Sequence, residues 1–357
     1  MNAQVPASGA AADLGGPRGA LSRLLFDRGL IDRPELRIDR LAGGQSNPTF
    51  RLSSGTHRYV LRKKPDGPLP SSAHAVEREY RVIQALQGTQ VPVPKVFLYG
   101  GDPSIVGTPF YVMEHLDGRI WMDPSLPDLS AAQRADVYDE MNRVIAALHS
   151  VDPAAASLGD FGKTGGYFER QIARWHRQVQ SSRTIDIPAL DALAEWLPAR
   201  IPPDDRTTLV HGDFRLDNLV FHPTEWRVIG VLDWELSTLG HPMADFAYHC
   251  LAWHISPSLW RGIAGLDLAR LGIPNEQRYL ERYLDATGSA HAIEHWDYYI
   301  AFNLFRLAAI MQGIARRVVD GNAVADDAAR TGALAGPIAE LGWRHAQHYE
   351  ADRARVG

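Results

Sequence analysis

One cysteine, Cys250, stands among the 357 residues, so no disulfide can close within the chain and no C-x-x-C metal site exists. That usage fits a reducing cytoplasm, and Cys250 itself reads as a small buried hydrophobe. No uninterrupted apolar run approaches the roughly 18 residues that a membrane span requires. The first twenty residues lack the basic stretch followed by an apolar one that directs secretion. Neither membrane insertion nor export is expected, and the expected location is the cytoplasm. Positive charge is not in excess either: 37 Lys and Arg against 42 Asp and Glu leave a net charge of −5 with no dense basic run, which argues against nucleic acid as a partner. Internal repeats are absent.

What is present is a chain long enough for two lobes, with 45% hydrophobic and 22% charged residues. Residues 1–20, rich in Ala, Gly and Pro, read as a mobile tail. After a short helical pattern from Leu21 to Leu30, Leu36 to Leu41 alternates with period two. Gly43-Gly44-Gln45-Ser46-Asn47-Pro48 breaks the alternation before Thr49 to Leu52 resumes it, which predicts strand, glycine loop, strand. Such a loop lets backbone N–H groups approach a phosphate, although Gly-Gly also makes ordinary hairpin turns; the motif downstream decides for phosphate, with Gly43, Gly44, Ser46 and Asn47 as candidates. Arg58 to Lys63 predicts a third strand in which Val60 and Arg62 share a face, while Lys63 and Lys64 are expected to be solvated. Residues 74–87 have helical periodicity, with Glu79 on the apolar stripe of Val76, Tyr80 and Ile83. An anion on a packing face needs a partner, and Arg62 is the expected one. Val96 to Tyr99 and Phe110 to Glu114 complete five strands. Glu114-His115-Leu116-Asp117-Gly118 then reads as a hinge, where the backbone of Glu114 and Leu116 can meet a purine edge. From the capping box Ser130-Ala131-Ala132-Gln133 onward the pattern is mostly helical.

The densest chemical signal is His211-Gly212-Asp213-Phe214-Arg215-Leu216-Asp217-Asn218, followed by Asp233-Trp234-Glu235. His-Gly-Asp alone is a common turn tripeptide, because Gly allows φ > 0 and Asp caps the backbone. The extended set is far rarer. Protein kinases carry an Asp and, five positions on, an Asn in one loop, with a further Asp after a short hairpin; the first orients the acceptor hydroxyl and the other two hold Mg2+. Asp213, Asn218 and Asp233 reproduce that spacing. Leu219 to Phe221 and Arg227 to Leu232 flank the turn His222-Pro223-Thr224-Glu225, so a hairpin is expected to bring the two halves side by side. Arg215 supplies a cationic donor for a γ-phosphate, and His211 opens the set.

Taken together, Gly43-Gly44, Val60-Leu61-Arg62, Arg78-Glu79-Tyr80, Phe110 to Gly118, His211 to Asn218, Val231 to Glu235 and Gly240 to Tyr248 resemble the aminoglycoside phosphotransferase family over roughly residues 35 to 320. The resemblance is closer to a branch that occurs fused ahead of acyl-CoA dehydrogenases, from which chains can inherit a dehydrogenase label. It implies an α+β, bilobal protein-kinase-like fold. Residues 21–116 would form a small antiparallel five-stranded N-lobe with one helix that binds ATP or GTP, and residues 117–357 a larger helical C-lobe with the catalytic loop and acceptor site. It also implies Asp213 as catalytic base and Asn218 and Asp233 as Mg2+ ligands. Two departures stand out. His241 replaces the Asp of a usual G-D-P turn, leaving Asp245 to carry the hydrogen bonding there, and Arg62 replaces the usual Lys, which changes the geometry of phosphate binding.

The expected activity is therefore transfer of a γ-phosphate to a small-molecule hydroxyl. A catalytically silent nucleotide- or acyl-CoA-binding module is the alternative; retention of Asp213, Asn218 and Asp233 together argues against it. A flavin dehydrogenase is disfavoured, since the two kinase-like lobes use up the chain, and so is a protein substrate, since no long activation loop follows Asp233. Residues 251–320 carry no surplus of carboxylates such as a polycationic acceptor would demand. A helix from about His295 to Val319 places Asn303 and Arg306 on one face, with Gln312 and Arg316 near its continuation; Arg306 there either meets an acidic substrate group or pairs with an acidic neighbour between helices. Together with Glu235 these are the candidate acceptor residues, and a hydroxy acid or acyl thioester is the expected substrate.

Overall fold

The computed structural model of the chain describes residues 14–17, 19–41, 47–67, 75–322 and 327–356. In chain order the elements are α1 (Ala20–Asp27), β1 (Arg37–Arg40), β2 (Thr49–Ser54), β3 (His57–Lys63), α2 (Val76–Leu86), β4 (Val96–Gly100), the single turn α3 (Pro103–Val106) and β5 (Phe110–Glu114). Next come α4 (Ala131–His149), α5 (Tyr167–Ser182), α6 (Pro188–Trp196), β6 (Thr208–Val210), β7 (Leu219–Phe221), β8 (Val228–Val231), β9 (Thr238–Gly240) and α7 (Pro242–Cys250). The chain finishes with α8 (Leu268–Leu271), α9 (Glu276–Thr287), α10 (Trp296–Val319), α11 (Ala328–Gly332) and α12 (Ala335–Val356). Among the described residues no helix is long and apolar enough to cross a membrane.

Two compact units result. The first holds the described residues up to Trp121, then Ala156–Leu158 and Leu216–Ser237; the second holds Met122–Ala155, Gly159–Arg215 and the chain from Thr238 on. The division expected after Leu116 thus falls a few residues later, and the β7–β8 hairpin belongs to the first unit rather than to the helical one.

In the first unit five antiparallel strands lie in the order β1-β2-β3-β5-β4. Period-two alternation puts Phe50, Leu52, Leu61 and Val112 into a core closed by Leu21 and Leu25 of α1 and by Val106. Arg62 sits opposite Tyr111 in the β3–β5 ladder, on the other face, where α2 packs. Two expectations are corrected here. Lys63 is buried rather than solvated, because its Nζ donates to the Leu14 carbonyl at 2.7 Å and the Val106 carbonyl at 2.8 Å and pairs with Asp66 at 3.0 Å. A buried ammonium tolerates its surroundings only when so satisfied. For the same reason Leu14, 8% exposed, is fixed in the core and α1 already begins at Ala20, so the mobile tail does not extend to residue 20. Residues 1–13 and Arg18 lie outside the described residues.

The second unit is helical apart from β6 and β9, which pair antiparallel. α4 starts at the expected capping box, with the Ser130 hydroxyl accepting from Gln133 N–H and the Gln133 side chain accepting from Ser130 N–H. α10 is buried on nearly all sides from Tyr298 to Gly313, as its largely apolar sequence, interrupted by Asn303, Arg306 and Gln312, requires. Aromatic rings fill the space around it; Phe246 of α7 stacks on Tyr283 at 3.8 Å, and Phe168 of α5 meets Tyr299 and Phe302.

Candidate active site

The first unit assembles the later half of the motif. Leu219 pairs with Val231 across the β7–β8 hairpin, and Leu232 N–H donates to the Asn218 carbonyl at 2.8 Å. That ladder sets Asn218, just before β7, across from Asp233, just after β8. Asp233 adopts φ 67° and ψ 57°, a left-handed conformation that costs a non-glycine residue about 1 kcal/mol or more and that Asp tolerates better than most. Its Oδ1 receives Arg62 Nη2 at 2.6 Å, and Glu235 Oε2 lies 3.5 Å from the same nitrogen. Arg62 Nε is 2.8 Å from Glu79 Oε2, with the two side chains 11% and 1% exposed. Glu79 also accepts from Asn47 Nδ2 at 2.6 Å and from the Tyr111 hydroxyl at 3.0 Å. Burial pushes the Glu79 carboxyl up to about 7, against the opposing pull of the Arg62 charge and the Tyr111 hydrogen bond.

One guanidinium therefore faces three carboxylates. That surplus of negative charge, beside the oxygen donors of Asn218 and Asp233, fits a hard dication such as Mg2+. A double-mutant cycle of Arg62→Ala and Glu79→Ala, read in unfolding free energy, is expected to give a coupling of about 0.5–3 kcal/mol. Strict additivity would show that the pair contributes nothing as a pair.

The remaining candidates of this unit divide. Gly43, Gly44 and Ser46 lie outside the described residues, and the Asn47 amide is taken up by Glu79 rather than left for a phosphate. Glu114 ends β5 with its N–H on the Lys95 carbonyl and its carboxylate on the Lys95 N–H. From there the chain through Leu116 runs to Gly118, where an added Cβ would lie 2.4 Å from the Phe221 carbonyl oxygen. Arg119 and Phe221 then exchange two backbone hydrogen bonds.

The second unit builds the earlier half. β6 delivers the chain into His211-Gly212-Asp213, and Gly212 takes φ 82°, the conformation for which glycine suits this turn. Asp245 of α7, 3% exposed, accepts from His211 N–H at 2.7 Å and Gly212 N–H at 2.8 Å and pairs with His149 Nε2 at 3.1 Å. Burial alone would raise the Asp245 carboxyl, but the hydrogen bond and charge of His149 and the His211 contacts hold it below the usual range. Arg306 of α10 donates from Nη2 to the Gly212 carbonyl at 2.5 Å, so both backbone groups of Gly212 are held. His211 is fully buried, and its Nδ1 accepts from Asp213 N–H at 3.2 Å. Its ring thereby shapes the loop.

The Asp213 carboxylate is held by two side chains. The Tyr248 hydroxyl donates to Oδ1 at 2.7 Å, while Arg215 approaches Oδ1 with Nε at 3.0 Å and Oδ2 with Nη2 at 3.3 Å. His241 takes over the work of the acid it replaces. Burial pushes its imidazole down to about 4, so the ring is neutral and its Nδ1 accepts from Met243 N–H at 3.2 Å, capping α7. Nε2 then points its proton at Asp204, 3.6 Å away.

The acceptor candidates do not share one place. Glu235 lies in the first unit on Arg62. Asn303 is buried and donates to the Ala244 and Tyr299 carbonyls, tying α10 to α7. Arg306 holds the loop, Gln312 is 2% exposed, and Arg316 pairs with Asp320 at an exposed turn. Sequence reasoning passed over Tyr248, Tyr111 and His149. Tyr248 carried a usable signal, since it stands three residues after Asp245 on one helix face.

The model of the phosphotransferase enzyme family matches residues 37–299. Over 332 residues the chain is 48% identical to acyl-CoA dehydrogenase family member 10 of Mus musculus, covering 92% of this chain and 31% of that protein. It is 50% identical to a Ralstonia eutropha crystal structure that bears an aminoglycoside phosphotransferase designation, with a TM-score of 0.84 and coverage of 92% of this chain and 98% of that one. The fold alone is shared with a thermostable mutant of aminoglycoside phosphotransferase APH(4)-Ia, solved in ternary complex with AMP-PNP and hygromycin B, at 18% identity, a TM-score of 0.60 and coverage of 92% and 99%. The chain spans about a third to two fifths of the length of the curated relatives it matches.

Proposed function

The chain belongs to the phosphotransferase enzyme family, and from that premise we propose that it transfers the γ-phosphate of ATP or GTP to a hydroxyl of a small metabolite, a hydroxy acid or hydroxyacyl-CoA. The observation that carries this reading is the fixing of Asp213, whose backbone neighbours are held by Asp245 and Arg306 and whose carboxylate is held by Tyr248 and Arg215. A module that only binds has no use for a base so constrained. Asp213 would accept the hydroxyl proton as the oxygen bonds to the γ-phosphorus and the bond to the β-phosphate oxygen breaks, releasing the nucleoside diphosphate. Arg62 would grip the α- and β-phosphates, and Arg215 would stand by the γ-phosphate. Asn218 and Asp233 are the residues that would hold Mg2+, which when bound supplies the positive charge that phosphoryl transfer needs.

Two features support an acidic or acyl thioester acceptor over a polycationic one. Residues 251–320 balance acids against bases, and the relatives carry acyl-CoA dehydrogenase names. The test is magnesium-dependent nucleotide consumption against a panel of hydroxy acids, hydroxyacyl-CoA esters and kanamycin-like amines. Turnover is expected on the acids or their esters. Robust turnover of the amines with none on the acids or esters would overturn the acceptor class.

A further inference from the structure

α7 presents two residues to the catalytic loop from one face. Asp245 binds the loop backbone, and three positions on, where a helix brings a side chain back to the same face, the Tyr248 hydroxyl reaches the Asp213 carboxylate at 2.7 Å. Tyr248 is 7% exposed. Its ring packs under the Arg306 guanidinium, 4.8 Å from the ring centre, and the same guanidinium donates to the Gly212 carbonyl. One layer of two side chains, from α7 and α10, thus grips the loop on both sides of the bond that joins Gly212 to Asp213.

We propose that Tyr248 is the positioning residue of the base: its hydroxyl fixes Asp213 Oδ1 from α7 and so sets the orientation in which the carboxylate meets the acceptor hydroxyl. The inference rests on the reading of Asp213 as base. The side-chain torsion of an aspartate carboxylate is broad; Arg215 grips both oxygens from within the same loop, and Tyr248 adds a donor on Oδ1 from a separate helix. Burial pushes the Tyr248 phenol well above its usual range, so near neutrality it keeps its proton and donates it to the carboxylate. The other titratable or charged groups around the loop are Arg215 and His211 within it, Asp245 on α7, Arg306 on α10, and His149 of α4 behind Asp245. Arg215 shares the Asp213 carboxylate with Tyr248, whereas Arg306 and Asp245 bind the loop through its backbone.

The test is Tyr248→Phe in the full chain, which removes the hydroxyl and keeps the ring beneath Arg306. With aspartate labelled at the carboxyl carbon, the Asp213 resonance, identified by its loss in Asp213→Asn, is read by NMR at neutral pH. Losing the hydrogen bond from Tyr248 should move that resonance. Basal MgATP hydrolysis should fall about tenfold with its KM unchanged. An unmoved Asp213 resonance in Tyr248→Phe, while Asp213→Asn is inactive, overturns the role of Tyr248 and leaves the base in place. Normal hydrolysis by Asp213→Asn overturns the reading on which it rests.

Discussion

Asp213→Asn is expected to lower turnover by roughly 10²- to 10⁴-fold, the range for loss of a positioned base, while nucleotide affinity stays close to that of the wild type. The amide keeps the size and shape of the carboxylate, and the loop keeps its supports, since Asp245 and Arg306 act on the backbone of His211 and Gly212 rather than on this side chain. What disappears is the lone pair able to take a proton and the charge that pairs with Arg215. The loss should therefore fall on kcat with the acceptor that the panel identifies, and calorimetric titration with the nucleotide should give a binding curve close to the wild-type one. Turnover near the wild-type rate would remove Asp213 from the chemistry.

Asp233→Ala is expected to abolish magnesium-dependent nucleotide binding. In the chain as it stands Asp233 shares Arg62 with Glu79 and Glu235, so its removal still leaves the guanidinium paired, and large unfolding is not the expected outcome. Its backbone needs φ 67°, and alanine there would add strain to the loss of charge. Asp233→Gly separates the two effects: glycine accepts that conformation freely, so it should bind no more magnesium than the alanine variant while being the more stable of the two. Calorimetric titrations with and without Mg2+ measure the first property and thermal unfolding the second. An affinity that responds to Mg2+ as strongly as in the wild type would contradict the assignment of Asp233 as a ligand.

β2 could be read from the sequence because its side chains alternate between the core, which Phe50 and Leu52 enter, and a second face; β5, buried at four positions running, showed instead as a short apolar run. That Asn218 stands across from Asp233 was equally legible, since a short hairpin sets one end of its ladder against the other. The misses have different causes. β6 and β9 are three residues each and pair across some thirty positions, so neither has enough length to show a period. Lys63 looked solvated because two of its partners, the carbonyls of Leu14 and Val106, are backbone groups that no side-chain pattern displays. Arg306 and Asn303 looked like ligands for a substrate because a polar residue on an apolar helix face needs a partner; the partners are carbonyls of Gly212, Ala244 and Tyr299. His241 looked like a lost acid, yet a buried imidazole that stays neutral caps a helix as an acid would.

The discontinuous make-up of the first unit bears on how the chain acquires its structure during synthesis. Its sheet is complete once Glu114 has emerged, but the Pro92 carbonyl and the backbone of Arg119 receive their partners only from Val231 and Phe221. At about 5–20 residues per second, the hundred or so residues that separate Trp121 from that hairpin take roughly 5–20 seconds to emerge, and most of them are residues of the other unit. Through that interval the segments around Pro92 and Arg119 wait beside the finished sheet for their backbone partners. The loop that carries Asp213 appears at the very end of the wait, immediately before the strand that ends it, so the proposed base and the last piece of the first unit arrive together.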